Sequence, residues 1–298
     1  PMAIAWVFPG QGSQKVGMAD PLIELPGADE RFQIASEVLG RDLLAICRGE
    51  DSSADPSDLN DTRNTQPALF VTESLLVDSL IEQGREAQLL AGHSLGELVA
   101  LYAASVFDLD TGLKLMKTRS ELMASAGDGA MTAVIGFDRS QLNELVASNE
   151  GVYIANDNSD GQVVLSGQAT ALASVCEALS CKRAIPLAVS GAFHSPLMGD
   201  AANRFANELD QVSFQDARVP VLSNSDPTPS RSGDVLKQRL KQQMTTGVRW
   251  RETMNGFGDA GVETLVEIGP GNVLSGLAKR SMAGVTLSQI AGAADLGL

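Results

Sequence analysis

Residues 3–8 are apolar without interruption, long enough for one strand, and they run into the loop Pro9-Gly10-Gln11-Gly12-Ser13-Gln14. A continuous apolar run, unlike an alternating one, needs cover on both faces, as in a parallel sheet between layers of helices. Residues 88–91 repeat the pattern and are followed by helical spacing over 98–104, which predicts a second buried strand and its helix. Residues 31–47 read as helix and 51–64 as a polar, Pro-interrupted surface connection. Residues 66–83 read as a helix with Pro67 at its start, where a missing N–H is no loss. Residues 111–123 form an amphipathic helix, with Leu113, Leu115, Met116 and Leu122 on its apolar side.

The period then shortens. After a Gly-, Ser- and Ala-rich connector at 124–129, the pattern predicts strand 131–137, helix 140–147, strands 152–156 and 162–166, helix 170–179 and strand 183–189. That βαββαβ order is the ferredoxin-like unit, small enough to be inserted into a larger domain. Beyond it come a helix near 201–209, a short strand at 219–224, a helix over 233–244, a last strand at 262–268 and a helix over 273–279. The expected organisation is an α/β domain made of 2–126 and 192–298, with 127–191 inserted as the small subdomain. No internal repeat or low-complexity segment interrupts it.

Between the second strand and its helix stands Gly92-His93-Ser94-Leu95-Gly96-Glu97. A strand-to-helix turn this tight needs small residues around the serine and leaves its hydroxyl exposed at the positive end of a helix. The GxSxG pattern alone is common in turns; the strand before and the helix after make it a nucleophile elbow. A serine hydroxyl needs a base, and the sequence has only two histidines. His93 adjoins Ser94, but its side chain must diverge in a sharp turn and supports the elbow. His194, in the loop after the small unit, is the better base. Gly269-Pro270-Gly271 before a helix lacks the lysine and serine of a phosphate loop and reads as a core-supporting turn.

Composition narrows the classes further. A chain of 298 residues that is 44% hydrophobic can bury a sizeable core. A net charge of -15 with no basic run argues against nucleic acid as a partner. The three cysteines form no CxxC, and two histidines are few for zinc, so neither a disulfide framework nor a metal site is expected. No apolar run is long enough to span a bilayer, and no charged segment with a small-residue cleavage site precedes residues 3–9, so a cytoplasmic protein is expected. Pro1 ahead of Met2 reads as an added residue.

The motifs together resemble the malonyl-CoA:acyl carrier protein transacylases of fatty acid synthesis. The resemblance runs nearly end to end through residues 7–14, Thr65-Gln66-Pro67-Ala68, the elbow, Arg119, Gln162-Val163-Val164, residues 191–198, Gln243 and residues 267–271. It implies an α/β-hydrolase-like core with an inserted ferredoxin-like subdomain, in agreement with the pattern above. It implies that Ser94 carries the malonyl ester, that His194 is the general base, and that the main-chain carbonyl of Gln243 orients the histidine. The Gln11 and Leu95 N–H groups would form the oxyanion hole, Arg119 would hold the malonyl carboxylate, and Phe193 would crowd an α-methyl branch. The implied substrates are malonyl-CoA and holo acyl carrier protein, with no cofactor, and a monomer is expected. Read without the family, Arg119 is equally a solvated helix charge and Gln243 a polar helix residue.

Two patterns depart from the family form: Asn158-Ser159-Asp160-Gly161 where many members have Asn-Ser-Pro, and Gly247 where many have proline. The second predicts added backbone freedom near Gln243. Two rival functions remain: a serine hydrolase or thioesterase on the same elbow, and a non-catalytic module that binds acyl carrier protein. A hydrolase wants Asp or Glu between the serine and the histidine, and Asp157 and Asp160 fall inside the small unit, poorly placed for that. An acidic carrier meeting an acidic enzyme needs a local basic face. Arg231, Lys237, Arg239, Lys241, Arg249 and Arg251, with Lys279 and Arg280, are the densest candidates.

Overall fold

A computed structural model describes residues 3–50 and 53–298. Pro1, Met2, Asp51 and Ser52 lie outside the described residues, and with them the reading of Pro1 and the first two positions of the 51–64 connection.

The chain opens with β1 (Ala3–Phe8), α1 (Ala28–Leu39), α2 (Leu43–Cys47) and α3 (Thr62–Glu82). Then come β2 (Leu89–Gly92), α4 (Gly96–Ala103) and α5 (Leu109–Ala124). The middle of the chain is β3 (Ala130–Phe137), α6 (Arg139–Ser148), β4 (Val152–Ser159), β5 (Gln162–Gly167), α7 (Ala169–Ala178) and β6 (Cys181–Pro186). It ends with α8 (Gly199–Asp210), β7 (Val221–Leu222), α9 (Gly233–Gln243), α10 (Trp250–Asp259), β8 (Val262–Ile268), α11 (Val273–Ser281) and β9 (Thr286–Ile290).

One sheet has the order β7-β2-β1-β8-β9, and every neighbouring pair in it is parallel. β1 sits at its centre, which is why residues 3–8 are apolar on both faces. Trp6 and Phe8 enter the core with Phe70, Leu98 and Met116, while Ala5 and Val7 pack on the other face with Trp250, Phe257 and Leu277. The second sheet is antiparallel, in the order β4-β5-β3-β6, with α6 and α7 over one face around Val134, Leu142, Val163, Leu172 and Val175. Its Met131, Ala155 and Val164 join the main core instead. Asp157 on β4 pairs with Arg139 at 3.1 Å and with Arg251 of α10 at 2.9 Å, a further tie between the two sheets.

Three local readings are corrected. The helical pattern over 31–47 is broken at Gly40, whose φ of 75° ends α1. The helix read from residue 66 begins a turn earlier, at Thr62, so Pro67 is internal. The carbonyl that Pro67 leaves without an N–H is that of Arg63, and Arg41 Nη2 donates to it at 2.8 Å. Asp61 caps the new start by accepting from Arg63 N, a contribution of about 1 kcal/mol. The strand at 262–268 is not the last, since β9 pairs with it at the sheet edge, and α10 was not expected at all. Gly247 itself stands against β4. A Cβ there would lie 2.6 Å from Ile154 O, and the lack of one lets Val248 bond to both Ala155 O and Asp157 N.

Candidate active site

Three strand ends deliver the site. β1 ends in the Pro9–Gln11 loop, β2 ends at the elbow, and β7 is followed by Asn224. Ser94 has φ of 55°, the left-handed region that side chains avoid. The flanking glycines are required by contact: a Cβ on Gly92 would lie 1.8 Å from Gly96 O, and one on Gly96 would lie 2.1 Å from Phe8 O. Asn224 secures the turn from outside. Its Oδ1 accepts from Ser94 N at 2.9 Å, and its Nδ2 donates to Gly92 O at 2.7 Å.

Ser94 Oγ lies 2.8 Å from His194 Nε2, and His194 Nδ1 lies 2.9 Å from Gln243 O. A carbonyl only accepts, so Nδ1 carries the proton, Nε2 is left bare, and the serine O–H donates to it. His194 itself has φ of 57°. Burial, and then the charge of Arg119, push its pKa down to about 3, so the ring is neutral throughout the neutral range. His93 does diverge, as the turn requires. Its Nε2 meets Asn158 Oδ1 at 2.7 Å and its ring lies against Trp250.

Arg119 is no surface charge: it is 1% exposed. Nη1 donates to Gln66 Oε1 at 2.7 Å, and Nη2 donates to Gln243 Oε1 at 2.9 Å and to Ser94 Oγ at 3.3 Å. Burial lowers its pKa to about 10 against the opposing pull of Glu97, so it stays charged at neutral pH. Its Nε has no partner among the described residues. Gln243 uses both ends, since its Nε2 donates to Ser94 O at 2.8 Å and to Asn224 Oδ1 at 3.1 Å.

A narrow cavity of about 90 Å³ opens onto these groups, lined among others by Gln11, Leu95, Arg119, Phe193 and His194. The backbone N–H groups of Gln11 and Leu95 donate to nothing among the described residues, while Gln11 Oε1 accepts from Thr62 Oγ1 at 2.7 Å. All seven residues singled out in the sequence thus meet here: Ser94, His194, Gln243, Gln11, Leu95, Arg119 and Phe193. Glu97 and Gln66 stand in the quoted motifs without an assigned part, and Asn224 had no local signal beyond following a short strand. The Gly269–Gly271 turn packs against Pro9, and Glu267 beside it accepts from Leu274 N, Ser275 N and Ser275 Oγ, which caps α11.

Ser94, partly buried, and His194, buried, are hydrogen-bonded on a strand-to-helix elbow, an arrangement suited to acyl transfer. The chain belongs to the acyl transferase domain family, whose model matches residues 5–294. The malonyl CoA-acyl carrier protein transacylase of Synechocystis sp. is 48% identical, over 99% of each chain, and its crystal structure superposes with a TM-score of 0.94. The transacylase of the same name from Escherichia coli K12 is 39% identical, over 96% of this chain and 95% of its own. A type II PKS acyl-carrier protein in complex with its malonyl-transacylase contains a chain 38% identical, with a TM-score of 0.91 over 99% of this chain and 97% of that one. No helix among the described residues is long and apolar enough to cross a membrane.

Proposed function

We propose that this protein moves a malonyl group from malonyl-CoA to the phosphopantetheine thiol of acyl carrier protein, through a malonyl ester on Ser94, in fatty acid synthesis. The observation that carries the reading is a buried guanidinium at the nucleophile, with Arg119 Nη2 3.3 Å from Ser94 Oγ. An acyl group esterified there would have its distal carboxylate within reach of Arg119.

In the first half-reaction His194 Nε2 takes the Ser94 proton as Oγ attacks the thioester carbonyl. The C–S bond then breaks, and coenzyme A leaves with that proton. The carrier's thiol enters by the reverse path, a ping-pong order. The Gln11 and Leu95 N–H groups, free at the cavity, suit the developing oxyanion. Gln243 is a positioning residue: its carbonyl holds the tautomer of His194, and a dyad with a carbonyl stands where hydrolases have a carboxylate. Phe193 at the cavity wall suits malonyl over branched acyl groups. The reaction calls for no cofactor, and we read the chain as a cytoplasmic monomer. The α/β-hydrolase-like core would comprise 2–126 and 192–298, and the element order and strand order of 127–191 support a ferredoxin-like subdomain.

The test is the mass of the protein after brief exposure to malonyl-CoA. A gain of one malonyl group, lost again on adding a pantetheine thiol, is expected. Rapid release of free malonate without an acceptor would mean a hydrolase, and neither adduct nor turnover would mean a binding module. The hydrolase is disfavoured because Asp157 is already bound by two arginines.

The carrier's docking face is narrowed by ion pairing. Arg239, Lys241, Arg249 and Arg251 pair with Asp226, Asp210, Glu252 and Asp157, while Arg231 and Lys237 donate to the carbonyls of Ala217 and Val212. Lys279 and Arg280 are exposed with no partner among the described residues. Reversing both to Glu is expected to slow transfer to the carrier several-fold and to spare a free pantetheine thiol, with the carrier's loss fading at high salt. Equal losses with both acceptors would remove the pair from docking.

A further inference from the structure

The proposed reaction leaves one buried acid of the site unused. Glu97, in the first turn of α4, is 0% exposed. Its Oε1 accepts from Asn224 N at 2.6 Å and from Gln243 Nε2 at 3.4 Å, while the other end of that amide accepts from Arg119 Nη2 at 2.9 Å. A carboxyl group and a guanidinium are thus joined through one neutral amide, which is oriented to favour a negative charge at one end and a positive charge at the other. Glu97 Oε2 has no partner among the described residues, so a proton added there would displace no hydrogen bond.

We propose that Glu97 sets the acyl specificity: it is the internal counter-charge of Arg119, and it takes a proton from solvent when a carboxylate-bearing acyl group settles against that guanidinium. The inference rests on Arg119 as the carboxylate's partner. Among the described residues, few other charges act on Glu97. The cations facing Glu97 are Arg119 from α5 and Arg239 from α9, and Arg239 already pairs with Asp226. His93 and His194 are held neutral by burial. The buried acid of α3, Glu73, has Glu267 as its charged neighbour instead.

A second carboxylate arriving at a single guanidinium raises the proton affinity of one of the two acids. Glu97 is the one ready to yield, because burial has already pushed its pKa up to about 7. The sign follows from linkage. Below pH 7 Glu97 is protonated in the free enzyme, Arg119 is unopposed, and a malonyl group enters without competition. Above pH 7 entry requires proton uptake, so the second-order rate of acylation by malonyl-CoA falls by up to about tenfold per pH unit. Acetyl-CoA brings no second charge, and its rate has no such limb.

The experiment is stopped-flow acylation by malonyl-CoA and by acetyl-CoA between pH 5.5 and 9, with wild type, Glu97→Gln and Arg119→Ala. For the wild type the malonyl-to-acetyl rate ratio is expected to fall by about tenfold or more from pH 6.5 to 8.5. Glu97→Gln keeps an oxygen for Asn224 N and cannot ionise, so its ratio is expected to stay flat at the low-pH value. The wild type alone provides a second reading: at pH 7.5 in weakly buffered indicator, malonyl-CoA should draw a fraction of a proton per site, and acetyl-CoA none. A flat wild-type ratio, a limb that survives in Glu97→Gln, or no proton uptake would each overturn the proposal. If Arg119→Ala loses both substrates alike, the assignment of Arg119 is what fails. If it loses malonyl selectively while the wild-type ratio is flat, only the role of Glu97 fails.

Discussion

Ser94→Ala is expected to abolish the malonyl-enzyme and leave the fold intact, and His194→Ala to slow acylation by about 10²- to 10⁴-fold. The serine substitution removes one hydroxyl at a cavity wall, and with it only the contacts to His194 Nε2 and Arg119 Nη2. The backbone bonds that hold the elbow, from Asn224 to Ser94 N and Gly92 O, do not involve that hydroxyl. Unchanged thermal unfolding with no mass gain from malonyl-CoA is therefore the expected pair of results, and a normal rate of malonylation would dismiss Ser94 as the nucleophile. With His194 gone, the serine keeps Arg119 and the Gln11 and Leu95 N–H groups proposed as oxyanion donors, but loses the proton acceptor proposed for it. His93 is not a ready substitute, because its Nε2 is already engaged by Asn158 Oδ1 at 2.7 Å. A residual rate above about a tenth of wild type would point to another base.

What the sequence made legible was what local pattern encodes. The double-sided apolar run of β1, the glycines around Ser94 and the short periods of 130–186 each have a cause within a few residues, and the strands and helices read from them fall where the structure has them, within a few residues. The misses have non-local causes. α10 carries Gly256 and Gly258 in its interior and is held instead by burial of Trp250, Met254 and Phe257 against the sheet. β9 is a partly exposed edge strand of mixed polarity, with only Ile290 fully buried. The early start of α3 depends on Arg41, more than 20 residues away, supplying the donor that Pro67 lacks. The site divides in the same way. The elbow is a local motif, whereas the bonds from Asn224 and Gln243 to it span 130 and 149 residues and leave no periodic trace. Arg119 is the sharpest case: its spacing on α5 is that of any helix charge, and only the fold buries it.

Arg119→Ala is expected to lose malonyl transfer heavily while acetyl transfer holds or improves. Truncating one member of a buried charge pair costs about 2 to 5 kcal/mol, most of it from the partner left stranded, and on the proposed reading the partner here is the substrate's carboxylate. An acetyl group never makes that contact. The substitution also removes the charge that, after burial, does most to depress the pKa of His194. The free histidine becomes a stronger base, which favours proton abstraction from Ser94 whatever the acyl group. For malonyl-CoA in the wild type, the substrate's own carboxylate offsets the Arg119 charge and gives the same assistance; for acetyl-CoA it cannot, so acetyl is the substrate that gains from losing the arginine. Opposing this, the cavity left by the side chain strips Gln66 Oε1 and Gln243 Oε1 of their donor, and a loosened Gln243 would weaken its carbonyl's hold on His194 for both substrates. The two effects separate in the kinetics. Loss of recognition appears as a fall in the malonyl-to-acetyl ratio of kcat/KM by about 30-fold or more, whereas loss of positioning lowers kcat for both thioesters together. An equal loss for the two would mean that Arg119 supports the framework of the site and does not read the carboxylate.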